Sequence, residues 1–457
     1  MSRLSLSPST ALPLLLPVVV VLLVGAATGV PAALPLVAGL IGVVLLSPLF
    51  GVLARGAAWA LPAFVALCLL LIDVGGRTNA PGPLRYAPTV VLVAVVFLVG
   101  VTADRRSRAL RGTALMLFAY GVVGTLYGRL ALGTVNGALP VVGPMIIACL
   151  PPVRSWGPGD AWRTGLRVLG VAGSLFAVFS GLTRLGMLPA AQLDVVNHEK
   201  SFVFVLAVGA AWAARDRLLL IGALAATAFA FTTYPAATYA LALAVAVGTV
   251  VLVRLLPDGP SRLLLAVGAA TSVLLATLFV DRLIEISNTY FRLVGKQDNG
   301  SARAALYEAA LERLEHPLLS SLFTGDITVV GNLTGEEVVV PVHNDYLSIT
   351  LGGGIVAATL LLAIFLFANG LALRTLRDGV SDDQRRTIVV LLAAVNAAAV
   401  TAFANPVFMN PGASALTFAV LTGLVAACRR LPAGTEASEE DGNVTDAAHG
   451  VSSPRVP

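Results

Sequence analysis

Residues 346–369 read YLSITLGGGIVAATLLLAIFLFAN, a run in which no side chain is charged. About 20 apolar residues in a helix cross the ~30 Å hydrocarbon core of a bilayer, and this run is long enough to do so. Similar runs recur along nearly the whole chain. Because a bilayer core offers no water to backbone groups, such runs predict helices. They are continuous instead of alternating every second residue, which argues against a membrane β-barrel.

Composition supports the same fold class. Of the 457 residues, 57% are hydrophobic and 12% are charged, and the mean hydropathy is +0.88. Soluble domains carry about 25% charged residues. We therefore predict an all-α polytopic membrane protein with about 12–14 transmembrane helices. The net charge of +5 reflects arginine at helix ends, so no nucleic-acid partner is expected.

The apolar runs divide the chain into four parts. Residues 1–280 are predicted to form helices 1–11, residues 281–345 one large external loop, and residues 346–430 helices 12–14, followed by a disordered cytoplasmic tail at 431–457. The predicted helices cover 11–29, 33–53, 57–74, 88–103, 113–129, 138–153, 165–185, 200–214, 218–233, 236–253, 263–280, 346–369, 388–404 and 413–428.

The distribution of arginine predicts the orientation. Placing the N-terminus inside puts most lysine and arginine residues on the cytoplasmic side. The loop at 281–345 then lies outside, and loops of that length are usually functional. Within it, Ser301–Leu314 has an apolar stripe typical of a helix. The β-branched stretches 327–330 and 336–342 flank NLTG and predict a small hairpin.

The most polar stretch near a span is the tetrad His343-Asn344-Asp345-Tyr346, immediately before the run quoted above. Asn344 or Asp345 is expected to cap the following helix. Capping does not account for the histidine, whose pKa near neutrality suits acid–base chemistry. A neighbouring Asn or Asp would orient its ring. We therefore take His343 as a candidate functional residue.

Several cations fall on the outer side, where positive charge is disfavoured. Snorkelling to lipid phosphates or pairing with loop acids explains any one of them. For the set, an anionic external ligand is the better explanation, because guanidinium groups match phosphate oxygens. No acidic cluster suggests a bound metal, so no metal and no cofactor are expected. The outer cations in this set are Arg129, Arg184, Lys200, Arg282, Arg292, Arg303 and Arg313, and a diphosphate would need more than one of them.

The loop and the helix after it resemble the O-antigen ligase / O-antigen polymerase family of bacterial envelopes. The resemblance covers 300–360. It rests on an Arg-containing loop helix, His-Pro-Leu-Leu at 316–319, HNDYL at 343–347 and the glycines at 352–354. Elsewhere it rests on the pattern of spans. The family pattern has Asn-Pro where this chain has His316-Pro317. It also has an arginine near a span where 232–239 reads TTYPAATY, so Arg184 or Arg292 would supply that contact.

The resemblance implies a GT-C-like fold in the bacterial inner membrane, with the active site facing outside. It implies a metal-independent glycosyltransferase that moves a glycan from undecaprenyl diphosphate to an acceptor glycan or glycolipid. His343 would act at the acceptor hydroxyl or steady the leaving phosphate, and Arg303 would hold the diphosphate. Asn344 and Tyr346 would contact substrate. The alternatives are a transporter or lipid-linked-glycan flippase, a peptidoglycan polymerase of similar architecture, and an inactive relative that acts as a scaffold.

Overall fold

The computed structural model describes residues 108–132, 160–185, 187, 200–233, 237–255, 285, 289, 300–315, 328–332, 337–408 and 411–428. Apart from turns and one two-stranded hairpin, these residues are helical. The elements are α1 (Arg108–Leu132), α2 (Asp160–Arg184), α3 (Phe202–Ala213), α4 (Arg217–Thr233), α5 (Ala237–Leu255), α6 (Gly300–Glu315), β1 (Thr328–Asn332), β2 (Glu337–Pro341), α7 (Asp345–Arg377), α8 (Asp382–Thr401) and α9 (Pro411–Ala427).

Most predicted elements that fall on described residues are confirmed. Helices α1 to α5 correspond to the predictions at 113–129, 165–185, 200–214, 218–233 and 236–253, and α9 corresponds to 413–428. The loop helix is α6, and β1 pairs antiparallel with β2 as the predicted hairpin, with Val329 opposite Val340. The predicted helices at 11–29, 33–53, 57–74, 88–103, 138–153 and 263–280 and the tail at 431–457 lie outside the described residues.

Two predicted helix boundaries were wrong. Helix α8 begins at Asp382 and not at 388, because the Ser381 side chain accepts a hydrogen bond from Gln384 N and caps the helix there. Helix α7 runs past 369 to Arg377. It is also interrupted at Gly354, where φ is +68° and ψ is −179°. Only glycine adopts such a backbone conformation readily. The interruption divides α7 into a short first segment and a long apolar second segment.

One end of the helix bundle is rich in arginine. Arg163 near the start of α2 and Arg215 between α3 and α4 both place Nη2 3.0 Å from the carboxylate of Asp383 in α8. Gln384 Nε2 donates to Ala427 O at the end of α9, at 2.8 Å. The start of α2, the α3–α4 turn, the start of α8 and the end of α9 therefore meet, and we call this the arginine-rich end.

The tetrad lies at the other end of α8, which we call the tetrad end. Ser201 Oγ, just before α3, is 3.2 Å from Thr401 Oγ1 in the last turn of α8. Asp345 N donates to Ala402 O at 2.9 Å, which brings the start of α7 to the same place. Near the end of α7, Thr375 Oγ1 donates to Cys428 O, directly after α9, at 3.3 Å. Helices α3, α7 and α8 therefore each run from one named end to the other.

The bundle interior is packed through small residues. A Cβ added at Gly209 of α3 would lie 2.7 Å from Val390 Cγ1 of α8, and one at Gly173 of α2 would lie 2.8 Å from Ala207 Cβ of α3. Such contacts allow helix backbones to approach closely, as they do in membrane bundles. Helix α8 is the central element, because residues 387–395 are all buried.

Large apolar side chains point outward from the peripheral helices. On α4, Leu218 is 83% exposed and Ile221 is 65% exposed, and on α5 Leu243 is 58% exposed. Two helical stretches, Arg163–Arg184 and Asp345–Arg377, are long and apolar enough to cross a membrane by length and composition. Four shorter apolar helices are found among the described residues: Phe202–Ala213, Arg217–Thr233, Thr238–Arg254 and Leu416–Ala427.

Candidate functional site

Asn344 is the residue that caps α7. Its backbone is extended, with φ −149° and ψ 111°, and its Oδ1 accepts hydrogen bonds from Tyr346 N at 3.0 Å and Leu347 N at 3.2 Å. These bonds satisfy two of the backbone N–H groups that a helix start leaves without partners. The sequence left Asn344 and Asp345 as alternatives for this task, and the structure assigns it to Asn344.

Asp345 is fully buried and holds a distant loop. Its Oδ2 accepts from Phe408 N at 2.5 Å, and its backbone N donates to Ala402 O at 2.9 Å. Both contacts fix the turn between α8 and α9 against the start of α7. Among the described residues, one acidic side chain, Asp345, and one basic side chain, Lys200, are buried, and both lie at the tetrad end.

Tyr346 is directed into the bundle. Its hydroxyl donates to Ala399 O at 2.9 Å, and its ring stacks on Phe403 with centroids 4.2 Å apart. The side chain is 8% exposed. Its hydroxyl and ring are therefore both engaged within the protein, although the sequence suggested Tyr346 as a substrate contact.

His343 keeps a partly exposed side chain on a backbone that is held from both sides. Tyr307 OH donates to His343 O at 3.2 Å. One residue earlier, Val342 O accepts from Ser348 Oγ at 3.0 Å. One residue later, Asn344 caps the helix. Sites that perform chemistry need such a supported backbone, because small displacements of a reacting group are costly.

Helix α6 approaches His343 through Tyr307. Leu306 and Ala310 of α6 form a small apolar cluster with Val342 and Leu351, which is separate from the main core. Tyr307 packs against this cluster. Position 303 lies four residues, or about one helical turn, before Tyr307, so the two positions share a face of α6. The two residues that the sequence paired, Arg303 and His343, are thus carried by elements that meet at Tyr307.

The other predicted ligands occupy different places. Arg184 is exposed in the last turn of α2. Lys200 precedes α3 and is 1% exposed, next to Ser201, which contacts Thr401. Arg129 lies in the last turn of α1, and Arg292 lies outside the described residues. The structure therefore brings Lys200 to the tetrad end, with its side chain inside the protein.

Sequence reasoning missed Tyr307 and the structural task of Asp345. Tyr307 had a weak signal, because it follows Arg303 by four residues on a predicted helix. Asp345 had none, because its acceptor contact joins residues far apart in the chain.

No protein-family model matches the chain, and no significant similarity to a curated protein or to a solved structure is found. The resemblance of residues 300–360 to the O-antigen ligase and polymerase family therefore stays a prediction from the motif.

Proposed function

We propose that the chain is a polytopic membrane glycosyltransferase that acts on a polyprenyl-diphosphate-linked glycan at the outer face of the bacterial inner membrane. The observation that carries the proposal is the tetrad end, where a rigidly held backbone presents a partly exposed His343 beside the α6 face that includes position 303. The acceptor would be a glycan or a glycolipid.

The perimeter and the charge distribution support the membrane part of the proposal. Exposed leucine, isoleucine and valine side chains on α4 and α5 suit contact with hydrocarbon. Arg163, Arg167, Arg215, Arg385 and Arg386 all lie at the arginine-rich end, near the start of α2, at the α3–α4 turn or in the first turns of α8. By the positive-inside rule this end faces the cytoplasm. The tetrad end then faces outside, where a lipid-linked glycan awaits transfer.

The chemistry requires two kinds of group. The acceptor hydroxyl attacks the anomeric carbon while the bond from that carbon to the diphosphate oxygen breaks. Charge then accumulates on the departing diphosphate, and Arg303 would stabilise it. The acceptor hydroxyl loses its proton to the His343 imidazole as the new glycosidic bond forms. No other reactant is consumed.

The test uses purified protein in nanodiscs with a mixture of undecaprenyl-diphosphate mono- and oligosaccharides, and it measures transfer to an added glycan and release of undecaprenyl diphosphate. General-base catalysis and stabilisation of the charge on a leaving group each contribute about 100-fold or more, so His343→Ala and Arg303→Ala should each lose at least that factor. Arg385→Ala, which removes an exposed guanidinium at the arginine-rich end, is the matched control and should retain activity.

Full activity in both variants would refute the site. A wild-type protein that moves labelled lipid across the bilayer without transferring sugar would instead support the flippase alternative.

A further inference from the structure

Tyr307 joins three segments that are distant in the chain. It belongs to α6, and its hydroxyl lies 3.2 Å from His343 O, before α7, and 3.2 Å from Phe403 O, after α8. A hydroxyl carries one proton and has two carbonyl acceptors here, so it bridges both segments from a single point. Phe403 is the residue whose ring stacks on Tyr346. The contact therefore links α6 to the tetrad and to the turn that packs against it.

The remainder of the Tyr307 side chain is held by the small apolar cluster. Leu306 and Ala310 of α6 are 1% and 0% exposed, and they pack with Val342 and Leu351 on the α7 side. Packing thus holds the Tyr307 ring in place, and the contacts of its hydroxyl with two carbonyl oxygens fix the orientation of the side chain. The hydroxyl can be removed by Tyr307→Phe without removing the packing ring.

We infer that Tyr307 is a positioning residue for transfer, which sets the distance and angle between His343 and the α6 face that carries position 303. The inference rests on the proposed function. Tyr307 belongs to α6 and donates a hydrogen bond to the peptide carbonyl of His343, and it contacts no reacting atom. Its loss should therefore reduce turnover and leave donor binding nearly unchanged, since misplacement of a reacting group by about 1 Å can cost up to about 100-fold in rate.

The first measurement is steady-state kinetics with the nanodisc assay and the undecaprenyl-diphosphate glycan mixture described above. Tyr307→Phe should lower kcat by about tenfold and change the donor KM by less than about twofold. The matched control is Tyr239→Phe, a tyrosine of α5 whose ring contacts Phe204 in the bundle, and it should leave kcat unchanged.

The second measurement is the distance between spin labels at Leu311→Cys on α6 and Leu185→Cys after α2, two positions that are 52% and 55% exposed. The other cysteines are replaced. Tyr307→Phe should broaden the distance distribution, and Tyr239→Phe should not.

The outcomes separate the two proposals. If wild-type protein transfers glycan and Tyr307→Phe matches its kcat, the positioning role is refuted and the transferase stands. A fall in kcat with an unchanged distance distribution between the labels also refutes positioning. If wild-type protein releases no undecaprenyl diphosphate, the transferase proposal fails, and the positioning role fails with it.

Discussion

A pair of asparagine side chains joins α7 to α8 within their apolar stretches. Asn369 Nδ2 donates to Asn396 Oδ1 at 2.9 Å, and Asn396 Nδ2 donates to Asn369 Oδ1 at 3.1 Å. Asn369 also donates to Phe365 O of its own helix, and Asn396 Nδ2 lies 3.4 Å from Thr249 Oγ1 of α5. Asparagine side chains that hydrogen-bond in this way join neighbouring helices directly.

Replacing one partner with leucine should destabilise the protein measurably. Each interhelical hydrogen bond in a membrane protein contributes about 0.6 kcal/mol on average and at most about 1.7 kcal/mol. The substitution removes two such bonds and leaves one amide with fewer partners, so Asn369→Leu and Asn396→Leu should each cost about 1–3 kcal/mol. The double variant replaces both polar groups by apolar ones of similar size, so its cost should be well below the sum.

The assay is equilibrium unfolding in mixed micelles of dodecylmaltoside and sodium dodecyl sulfate, followed by circular dichroism for wild type, both single variants and the double variant. The coupling energy from this cycle should be about 1–2 kcal/mol. Independent sites are additive to within about 0.5 kcal/mol. Additivity of that order would show that the two amides do not interact, and the packing of α7 on α8 described above would then be wrong.

Three further substitutions or labels test other contacts. Asp345→Ala removes the buried acceptor of Phe408 N and should cost about 1–3 kcal/mol in the same unfolding assay, whereas an unchanged midpoint would contradict the buried contact. Arg215 has a φ of +56°, and its side chain, which is 45% exposed, pairs with Asp383. Arg215→Ala and Arg215→Gly both lose the ion pair, but only glycine adopts this positive φ without strain. Arg215→Ala should therefore be less stable than Arg215→Gly by about 1 kcal/mol. The Cys428 thiol is buried, so at pH 7.5, in a background without the other two cysteines, maleimide should label it only after unfolding. Prompt labelling of folded protein would place the end of α9 in solvent.

The helices were predictable because hydropathy depends on local sequence. Every apolar run that falls on described residues forms a helix, and the amphipathic stripe of α6 and the hairpin were also found. The boundaries failed where polar residues belong to a helix. Ser381 caps α8, and its first turn begins with Asp382 and Asp383, which no apolar pattern includes. The break at Gly354 was signalled by three successive glycines, but a run without charge reads as one span.

The sequence predicted which residues belong to the candidate site, but not which of them contact one another. The sequence places His343 and its neighbours before a helix, and a cap residue there is expected from local chemistry alone. The contacts of Asp345 with Phe408 and of Tyr307 with Phe403 depend on how helices pack. A single sequence contains no information on which of these distant residues meet. The burial of Lys200 follows from the same packing, so a cation that looked available for a ligand lies inside the protein.

The four residues of the tetrad do not test catalysis equally well. Asn344→Ala removes a cap and should cost about 1 kcal/mol, and substitutions at Asp345 or Tyr346 disturb buried contacts, so lost activity in any of these variants has a structural explanation. Within the tetrad, Asn344 caps α7 and Asp345 and Tyr346 are buried, whereas His343 is partly exposed. Replacing this partly exposed side chain should leave the unfolding midpoint of His343→Ala close to that of wild type, while the proposed transfer falls by about 100-fold or more. A variant that loses activity and stability together would remove the reason for treating His343 differently from its neighbours.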